Sequence, residues 1–264
     1  MYKFISTLLL LFSLSGVQAE GIQFRDMSLP EAQVAAGKEG KLVFVDCYTP
    51  SCGPCKFMAR HIFPMDSCGE YMNPRFVSVM KDLEAEGNTY IAKKYNVRIY
   101  PTFLILRTDG SLYAKLEGGA VKYARKFLNR VDGALALGEM EERYTAGDRG
   151  VDLLTAYVDA LMHPAPMKAR SIINDYVVTL SVDDMACDAN LELIKRLGDA
   201  ECDGYIHMVD NRAGVASKIG KKRFGSVLDA IYVSYSRRLK MMGRSPSEKA
   251  VALREQLRSE GYID

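Results

Sequence analysis

Cys52 and Cys55 are the residues of this chain whose types and spacing point most directly to chemistry. Gly53 and Pro54 separate them. A thiolate on Cys52 would be stabilised by the free N–H groups and the positive dipole end of a helix beginning there. Cys55 would lie one turn further on, close enough to form a disulfide with Cys52. The pattern predicts a dithiol site rather than a chance pair.

The residues around this pair indicate a strand that leads into a helix. The apolar run Leu42 to Val45 is short and rich in β-branched residues, as buried strands are, and Pro50 follows its end. Pro54 suits the first helical turn, because its missing N–H would have no partner there. Gly53 lets a partner backbone approach closely. The dithiol is therefore expected at a strand-to-helix turn.

Asp46 and Pro101 are two further residues that bear on the chemistry. Asp46 lies six positions before Cys52 inside the apolar strand, where a bare carboxylate is costly to bury, so we expect it to have a function. Pro101 comes shortly before the apolar run Phe103 to Leu106 and can enter a sheet only at the start of a strand. A cis Tyr100–Pro101 peptide bond would fit this position.

This chain resembles the thioredoxin superfamily over about residues 22–132. The resemblance rests on the order and spacing of a buried acid, a Cys-Gly-Pro-Cys motif and a later proline. The resemblance implies an α/β thioredoxin fold, a mixed sheet with helices on both faces, and needs no cofactor or metal. Two features depart from the family. Ser51 stands where many thioredoxins have tryptophan, and Lys81 is the candidate for the lysine that often accompanies the buried acid, without a fixed register.

The resemblance also implies a role for each site residue. The Cys52 thiolate would attack a substrate disulfide, and Cys55 would resolve the mixed disulfide, so the two form the redox-active disulfide. Asp46 would move a proton to or from Cys55 through water. The residues expected to bind the substrate chain are Gly53, Pro54, Tyr100 and Pro101.

The direction of the reaction is expected to be reduction of protein disulfides. Gly53 and Pro54 between the cysteines resemble the reducing members of the family more than the strong oxidants. The clients would be disulfide-containing proteins, and the electron donor a membrane thiol-conducting protein. Oxidation and isomerisation stay open, because about 30 mV corresponds to only about 1.4 kcal/mol for this couple.

Three alternatives compete with this interpretation. A zinc site would need two more ligands at short spacing, and His61 and Cys68 do not form a second paired motif. A redox-dead thioredoxin fold is disfavoured because both cysteines are present. The third alternative belongs to a different class: a client-binding or redox-sensing adaptor with a vestigial dithiol.

The N-terminal residues have the pattern of a secretory signal. Lys3 is followed by the apolar run Phe4 to Leu14, and Val17, Gln18 and Ala19 precede the expected cleavage after Ala19. No stretch reaches the ~18 apolar residues that a membrane span needs. We therefore expect residues 1–19 to be removed and the protein to be exported, to the periplasm in a Gram-negative source, and not to be an integral membrane protein.

Length and composition favour two globular domains. The chain has 264 residues, of which 48% are hydrophobic and 26% charged, with a net charge of +2, so nothing indicates disorder or nucleic-acid binding. We assign residues 20–133 to the thioredoxin-like domain and residues 134–264 to an all-helical domain. The helical half resembles hairpin repeats without a 34-residue self-similarity. A similar arrangement recurs in exported thioredoxin-like proteins of the Bacteroides group.

The periodicity of apolar residues, together with turn and capping residues, predicts the elements of the first domain. An edge strand should cover Ile22 to Phe24, and a capping box at Ser28–Glu31 should open a helix that ends near Gly37. The remaining predictions are a strand Phe76 to Met80, a helix Thr89 to Tyr95, a hairpin of Phe103 to Leu106 and Leu112 to Leu116 turned at Asp109–Gly110, and a closing helix Tyr123 to Val131.

The second half is predicted from helical apolar stripes and loop signals. The stripes are Val151–Leu154–Val158–Leu161, Ile173–Val177–Leu180 and Phe224–Leu228–Ile231–Tyr235–Leu239, with a final helix from Ser247 to Glu260. Between Arg212 and Arg244, nine Lys or Arg face one acid, Asp229. Separate solvated faces are the simpler interpretation, and an anionic partner or lipid surface is the alternative.

The other cysteines and His61 are expected to be structural or solvated. Cys47 should be a small buried residue on the sheet face opposite Asp46, and Cys68 a surface or half-buried thiol. Cys187 falls on a stripe with two apolar residues, which favours a buried, inert thiol. A disulfide between Cys187 and Cys202 is left open. His61 is expected to be exposed on the helix.

Overall fold

The structure is a computed structural model that describes residues 20–119 and 121–264. The expected signal segment, residues 1–19, lies outside the described residues. The chain divides into two compact units between Leu135 and Ala136. Within the described ranges, no helix combines the length and apolar character needed to cross a membrane.

The N-terminal unit is built around a four-stranded mixed sheet. Its elements are α1 (Leu29–Glu39), β1 (Leu42–Tyr48), α2 (Gly53–His61), α3 (Asp66–Met72), β2 (Phe76–Asp82), α4 (Thr89–Lys94), β3 (Thr102–Leu106), β4 (Leu112–Glu117) and the start of α5 (Ala124–Thr145). The strand order is β2-β1-β3-β4. β1 and β2 are parallel, whereas the β1–β3 and β3–β4 pairs are antiparallel.

Helices cover both faces of this sheet, because side chains alternate along the buried strand β1. Phe44 packs in one cluster with residues of α2, α3 and α5, among them Met58 and Phe127. Val45 packs in the opposite cluster with residues of α1 and α4, including Ile91. The predicted thioredoxin fold, with helices on both faces of a mixed sheet, is confirmed.

The start of α1 follows the predicted capping box, its end lies two residues beyond the predicted one, and the prediction of an edge strand before it was wrong. The Ser28 side chain accepts the Glu31 N–H, and the Glu31 carboxylate accepts the Ser28 N–H at 2.7 Å. The helix continues past Gly37 to Glu39, because the left-handed residue that caps it is Gly40, with φ 63°. No edge strand forms at residues 22–24: only a single bridge joins Phe24 to Ser78.

Helix α5 is longer than predicted. It was expected to end at Val131, yet it continues through Gly133 to Thr145. One glycine costs a helix roughly 1 kcal/mol relative to alanine and does not end it when favourable residues follow. The helix stops just before Gly147, whose φ of 97° is outside the helical region.

All regular secondary structure of the C-terminal unit, residues 136–264, is helical. After the end of α5 its helices are α6 (Val151–Leu161), α7 (Pro166–Val177), α8 (Val182–Met185), α9 (Asp188–Ile194), α10 (Asp203–Asp210), α11 (Arg212–Ile219), α12 (Lys221–Met241) and α13 (Glu248–Ser259). Apart from the partly buried Val151, every residue of the three predicted stripes is buried in one hydrophobic core. α13 begins after Ser247, whose side chain accepts the Ala250 N–H at 3.2 Å.

The cysteines outside the pair include one correct prediction and two wrong ones. Cys47 is buried, as predicted. Cys68 is also buried rather than superficial, because α3 turns it into the core beside α2. Cys187 is exposed rather than buried: it precedes α9 as an extended N-cap residue, so the helical stripe does not reach it. Cys187 and Cys202 are free thiols and do not form the disulfide that spacing allowed.

Candidate active site

A disulfide between Cys52 and Cys55 lies at the start of α2, with a Cα–Cα distance of 5.3 Å. Cys52 is the N-cap residue, and its Sγ accepts the Cys55 N–H at 3.1 Å. The Cys52 N–H in turn donates to the Thr49 carbonyl at 3.1 Å, which fixes the turn after β1. The predicted strand-to-helix position of the dithiol is confirmed, and its first sulfur accepts a backbone N–H of the first helical turn that would otherwise lack a partner within the helix.

The two sulfurs differ in accessibility. The Cys52 residue is partly exposed, whereas Cys55 is only 4% exposed. Gly53 and Pro54 between them are exposed, and a Cβ added at Gly53 would meet no atom within 4 Å. A second polypeptide therefore has room to approach Cys52, and the geometry makes it the more reachable sulfur.

Asp46 is the buried acid of the site. It is 1% exposed, and neither carboxylate oxygen has a hydrogen-bond partner among the described residues. In the sheet register it lies between Met80 of β2 and Phe103 of β3. Burial raises the pKa of its carboxyl from an ordinary 3.8 to about 7. The group can therefore take up or release a proton near neutral pH.

Lys81 does not accompany the buried acid. It pairs in register with Cys47, one position beyond Asp46, so its side chain is on the other face of the sheet. There its Nζ donates to the Met27 carbonyl at 2.5 Å. The residue beside Asp46 is Met80, which the sequence analysis missed, because a shift of one residue in strand register moves every side chain to the opposite face.

Pro101 lies at the edge of the sheet where the dithiol turn begins. The Tyr100–Pro101 peptide is cis, as predicted, and Pro101 directly precedes β3. The first residue of β3, Thr102, pairs with Cys47 near the end of β1, so Pro101 reaches the sheet beside the last residues of that strand. The Gly118 N–H donates to the Pro101 carbonyl at 2.8 Å and holds this loop.

Tyr100 is half buried beside the same edge. Burial raises the pKa of its phenol, and the electrostatic effects of Cys47, of Glu84 in the loop after β2 and of Asp82 at the end of β2 add to this shift. Leu83 of that loop donates its N–H to the Tyr48 carbonyl at 3.0 Å, so the loop is tied to the end of β1. The sheet edge thus brings together the dithiol turn, the cis-proline loop and the loop after β2.

A cluster of phenylalanine rings fixes α2 and α5 against the sheet on the Asp46 face. Phe44 and Phe103 stack with ring centroids 5.7 Å apart, and Phe127 of α5 meets Phe103 edge-on at 5.4 Å. Phe63, just after α2, lies 5.7 Å from Phe127. Each such aromatic pair adds about 0.5–1.5 kcal/mol of stability beyond that from buried area, so these contacts hold α2, which carries the disulfide, against the sheet.

Comparison with known proteins identifies the family. Residues 30–130 match the family model described as Thioredoxin. The chain is 35% identical over 89 residues to a thioredoxin H-type of Oryza sativa subsp. indica, covering 33% of this chain and 67% of the rice protein. It is 30% identical over 89 residues to a protein disulfide-isomerase of Datisca glomerata, covering 32% of this chain but only 18% of that protein.

A solved structure is also similar to part of this chain. It is the solution structure of a candidate disulphide-isomerase from Bacteroides thetaiotaomicron, with 39% identity, a TM-score of 0.40, and coverage of 46% of this chain and 95% of the other. The family model matches the segment that holds Asp46, the Cys52–Cys55 disulfide and Pro101, and the rice thioredoxin is matched over two thirds of its length. The chain therefore belongs to the thioredoxin family and is a thiol–disulfide oxidoreductase.

Proposed function

We propose that this chain is an exported reductase of protein disulfides that acts through Cys52 and Cys55. The observation that carries the proposal is the asymmetry of the pair. Cys52 is the partly exposed N-cap of α2 and its Sγ accepts a backbone N–H, while Cys55 is nearly buried. The same N–H would stabilise a Cys52 thiolate in the reduced form, and the thiolate is the attacking species in disulfide exchange.

In the first step the Cys52 thiolate attacks one sulfur of the client disulfide. A bond forms between Cys52 and that sulfur, the client S–S bond breaks, and the other client sulfur leaves as a thiolate that takes a proton from water. Gly53, Pro54, Tyr100 and Pro101 would hold the client chain beside Cys52, because they surround the accessible sulfur or lie at the same sheet edge.

In the second step Cys55 resolves the mixed disulfide. Its thiol gives its proton through water to Asp46, and the resulting thiolate attacks Cys52 Sγ. The Cys52–Cys55 disulfide forms, and the client leaves with both sulfurs reduced. The client gains two electrons and the chain loses two, so each cycle needs a thiol donor, for which we propose a membrane thiol-conducting protein.

The proposal of export rests on the residues that precede the N-terminal unit. Lys3, the apolar run Phe4 to Leu14 and the small residues ending at Ala19 have the pattern of a cleaved secretory signal. In a Gram-negative source the protein would act in the periplasm, where disulfides persist and a reductase needs a dedicated electron supply. Expression of the full chain followed by cell fractionation and N-terminal sequencing tests this, with Glu20 expected as the first residue.

A disulfide-reduction assay tests the enzymatic part of the proposal. With a small dithiol as electron donor, the chain should accelerate the reduction of insulin, and Cys52→Ser should abolish the acceleration. Cys187→Ser is the matched control, because Cys187 is an exposed free thiol outside the site, and it should leave the rate unchanged. Absence of cysteine-dependent turnover would contradict the proposal and favour an adaptor with a vestigial dithiol.

A further inference from the structure

Most of the basic segment Arg212–Arg244 is neutralised within the C-terminal unit. Five of its nine cations pair with acids on other elements: Arg212 with Glu260, Lys218 with Asp183, Lys222 with Asp264, Arg223 with Asp188 and Arg238 with Asp199. A sixth, Lys221, lies over the ring of Tyr262. The segment is therefore not uniformly charged, because more than half of its cations already have partners.

The remaining cations lie together at the C-terminal end of α12. Arg237 and Lys240 are exposed and have no ion-pair partner anywhere in residues 136–264. Arg244 follows the helix and lies near Glu201, which partly balances it. Apart from Lys221, which keeps its charge over the neutral Tyr262 ring at the start of α12, the unpaired cations of the basic segment thus lie around the C-terminal end of that helix.

The same region exposes apolar side chains. Six large apolar residues are exposed in residues 136–264, and four of them lie on α12 or α13 or just after α12. Their exposed fractions are 38% for Val233, 78% for Met241, 62% for Met242 and 42% for Val251. Val233, Arg237, Lys240 and Met241 follow a spacing of four, three and one residues, which puts them on one face of the helix.

A groove of about 320 Å³ lies beside this face. It is lined by Tyr232, Val233, Ser236, Arg237, Lys240 and Arg254. Arg254 is fixed by Asp229, whose Oδ1 accepts from its Nη2 at 2.8 Å, and by the Tyr232 ring, 4.7 Å away. Three cationic side chains and two hydroxyl-bearing ones, Tyr232 and Ser236, therefore line one opening, and such donors suit the oxygens of a phosphate group.

We propose that this surface, the α12 patch, docks on a membrane that contains anionic phospholipid. The α12 patch consists of Val233, Arg237, Lys240, Met241, Met242 and the adjoining groove. A phosphate headgroup would enter the groove, and the methionines would enter the interface beside it. Cations together with the exposed Val233 and Met241 on one helix face, and the exposed Met242 just after the helix, match a surface with anionic headgroups above acyl chains. An acidic protein partner would account for the cations but leaves the exposed methionines unexplained.

Vesicle co-sedimentation tests the proposal with the chain from Glu20 onward, the form expected after signal cleavage. It should bind vesicles of phosphatidylcholine with about one-third phosphatidylglycerol and not vesicles of phosphatidylcholine alone. The double variant Arg237→Gln/Lys240→Gln should bind roughly 25-fold more weakly, or about fivefold for each lost charge. Met241→Ser/Met242→Ser should weaken binding by about fivefold or more.

The matched control is Lys218→Gln/Lys222→Gln, which makes the same change in net charge in the same segment but outside the patch. It should change binding by less than about twofold. An equal loss of vesicle binding by the control variant would overturn the proposal, and so would equal binding of the native chain to neutral vesicles. The proposal would also be overturned if the methionine variant bound vesicles as well as the native chain and soluble polyglutamate displaced the protein from them. All variants should keep the rate of insulin reduction, so failure here is distinct from failure of the redox proposal.

Discussion

At the scale of single residues, the buried carboxyl of Asp46 bears on both stability and the proposed chemistry. It is buried between Met80 and Phe103, no cation of the described residues acts on its pKa, and Lys81 is turned to the other sheet face. Its pKa of about 7 means that the native protein holds a proton there that the unfolded chain releases near pH 4. The same carboxyl that we propose as proton acceptor for Cys55 therefore makes stability depend on pH.

Replacing Asp46 with asparagine should remove this pH dependence. Below the unfolded pKa of 3.8 both states carry the proton and the group costs nothing. As the pH rises towards 7, only the unfolded state ionises, so the free energy of unfolding falls, by about 4 kcal/mol in all. The free energy of unfolding of Asp46→Asn minus that of the native protein should therefore be about 2.5 kcal/mol larger at pH 8 than at pH 5. Urea unfolding of the oxidised proteins at both pH values measures the difference.

The control for this experiment is Asp26→Asn, which removes an exposed carboxylate from the same unit. It should change stability by a similar small amount at both pH values. If Asp46→Asn and the native protein gave parallel stability curves between pH 5 and pH 8, the buried carboxyl would not titrate in that range, and its proposed role as proton acceptor near neutral pH would be wrong.

At the scale of elements, local chemistry predicted best where one residue type determines the backbone. The capping box at Ser28, the strand β1 and the helix start at Cys52 follow from side chains that act on their immediate neighbours. Cys187 was mispredicted because apolar periodicity does not reveal where a helix begins, and the backbone there is still extended. The position of Lys81 depends on strand register, which is a non-local property.

Two glycines inside helices give a prediction that sequence alone cannot make. Gly133 in α5 has open space where a Cβ would be, whereas a Cβ at Gly225 in α12 would lie 1.8 Å from the Tyr262 carbonyl oxygen. Gly133→Ala should stabilise the protein by about 0.5–1 kcal/mol, because alanine is the better helix former. Gly225→Ala should destabilise it by roughly 1–3 kcal/mol, because the C-terminal backbone must move away.

Thermal unfolding followed by circular dichroism measures both glycine variants, and each serves as the other's control. The two substitutions have the same intrinsic helix preference, so opposite signs isolate the effect of the close backbone approach at Gly225. Stabilisation by both alanines would mean that the segment around Tyr262 does not pack against α12 as the structure has it.

At the scale of the whole molecule, the residues to which we assign the chemistry lie in the N-terminal unit, and α5 runs across the division between the units. Asp46, the disulfide and Pro101 all precede the division between Leu135 and Ala136. Leu135 nevertheless packs against the N-terminal core, and its carbonyl accepts the Tyr113 hydroxyl at 3.3 Å. A cut at the predicted domain boundary after residue 133 would remove this contact.

Two fragments test whether the N-terminal unit is stable and active without the helical unit. Residues 20–145, which keep all of α5, should be more stable than residues 20–133 by about 1–3 kcal/mol, because the shorter fragment loses Leu135 and its hydrogen bond. Both, once shown to be folded by circular dichroism, should reduce a small disulfide at nearly the full-length rate. A folded fragment without that activity would mean that the helical unit completes the active site.

The most direct test of the central claim is to trap the mixed disulfide on Cys52. Reduced Cys55→Ser keeps the attacking thiol and loses the resolving one, so incubation with a disulfide-bonded client should accumulate a covalent adduct that mass spectrometry maps to Cys52. Reduced Cys52→Ser retains only the buried Cys55 and should accumulate little. Equal trapping by the two variants, or an adduct on another cysteine, would contradict the assignment of Cys52 as the attacking sulfur.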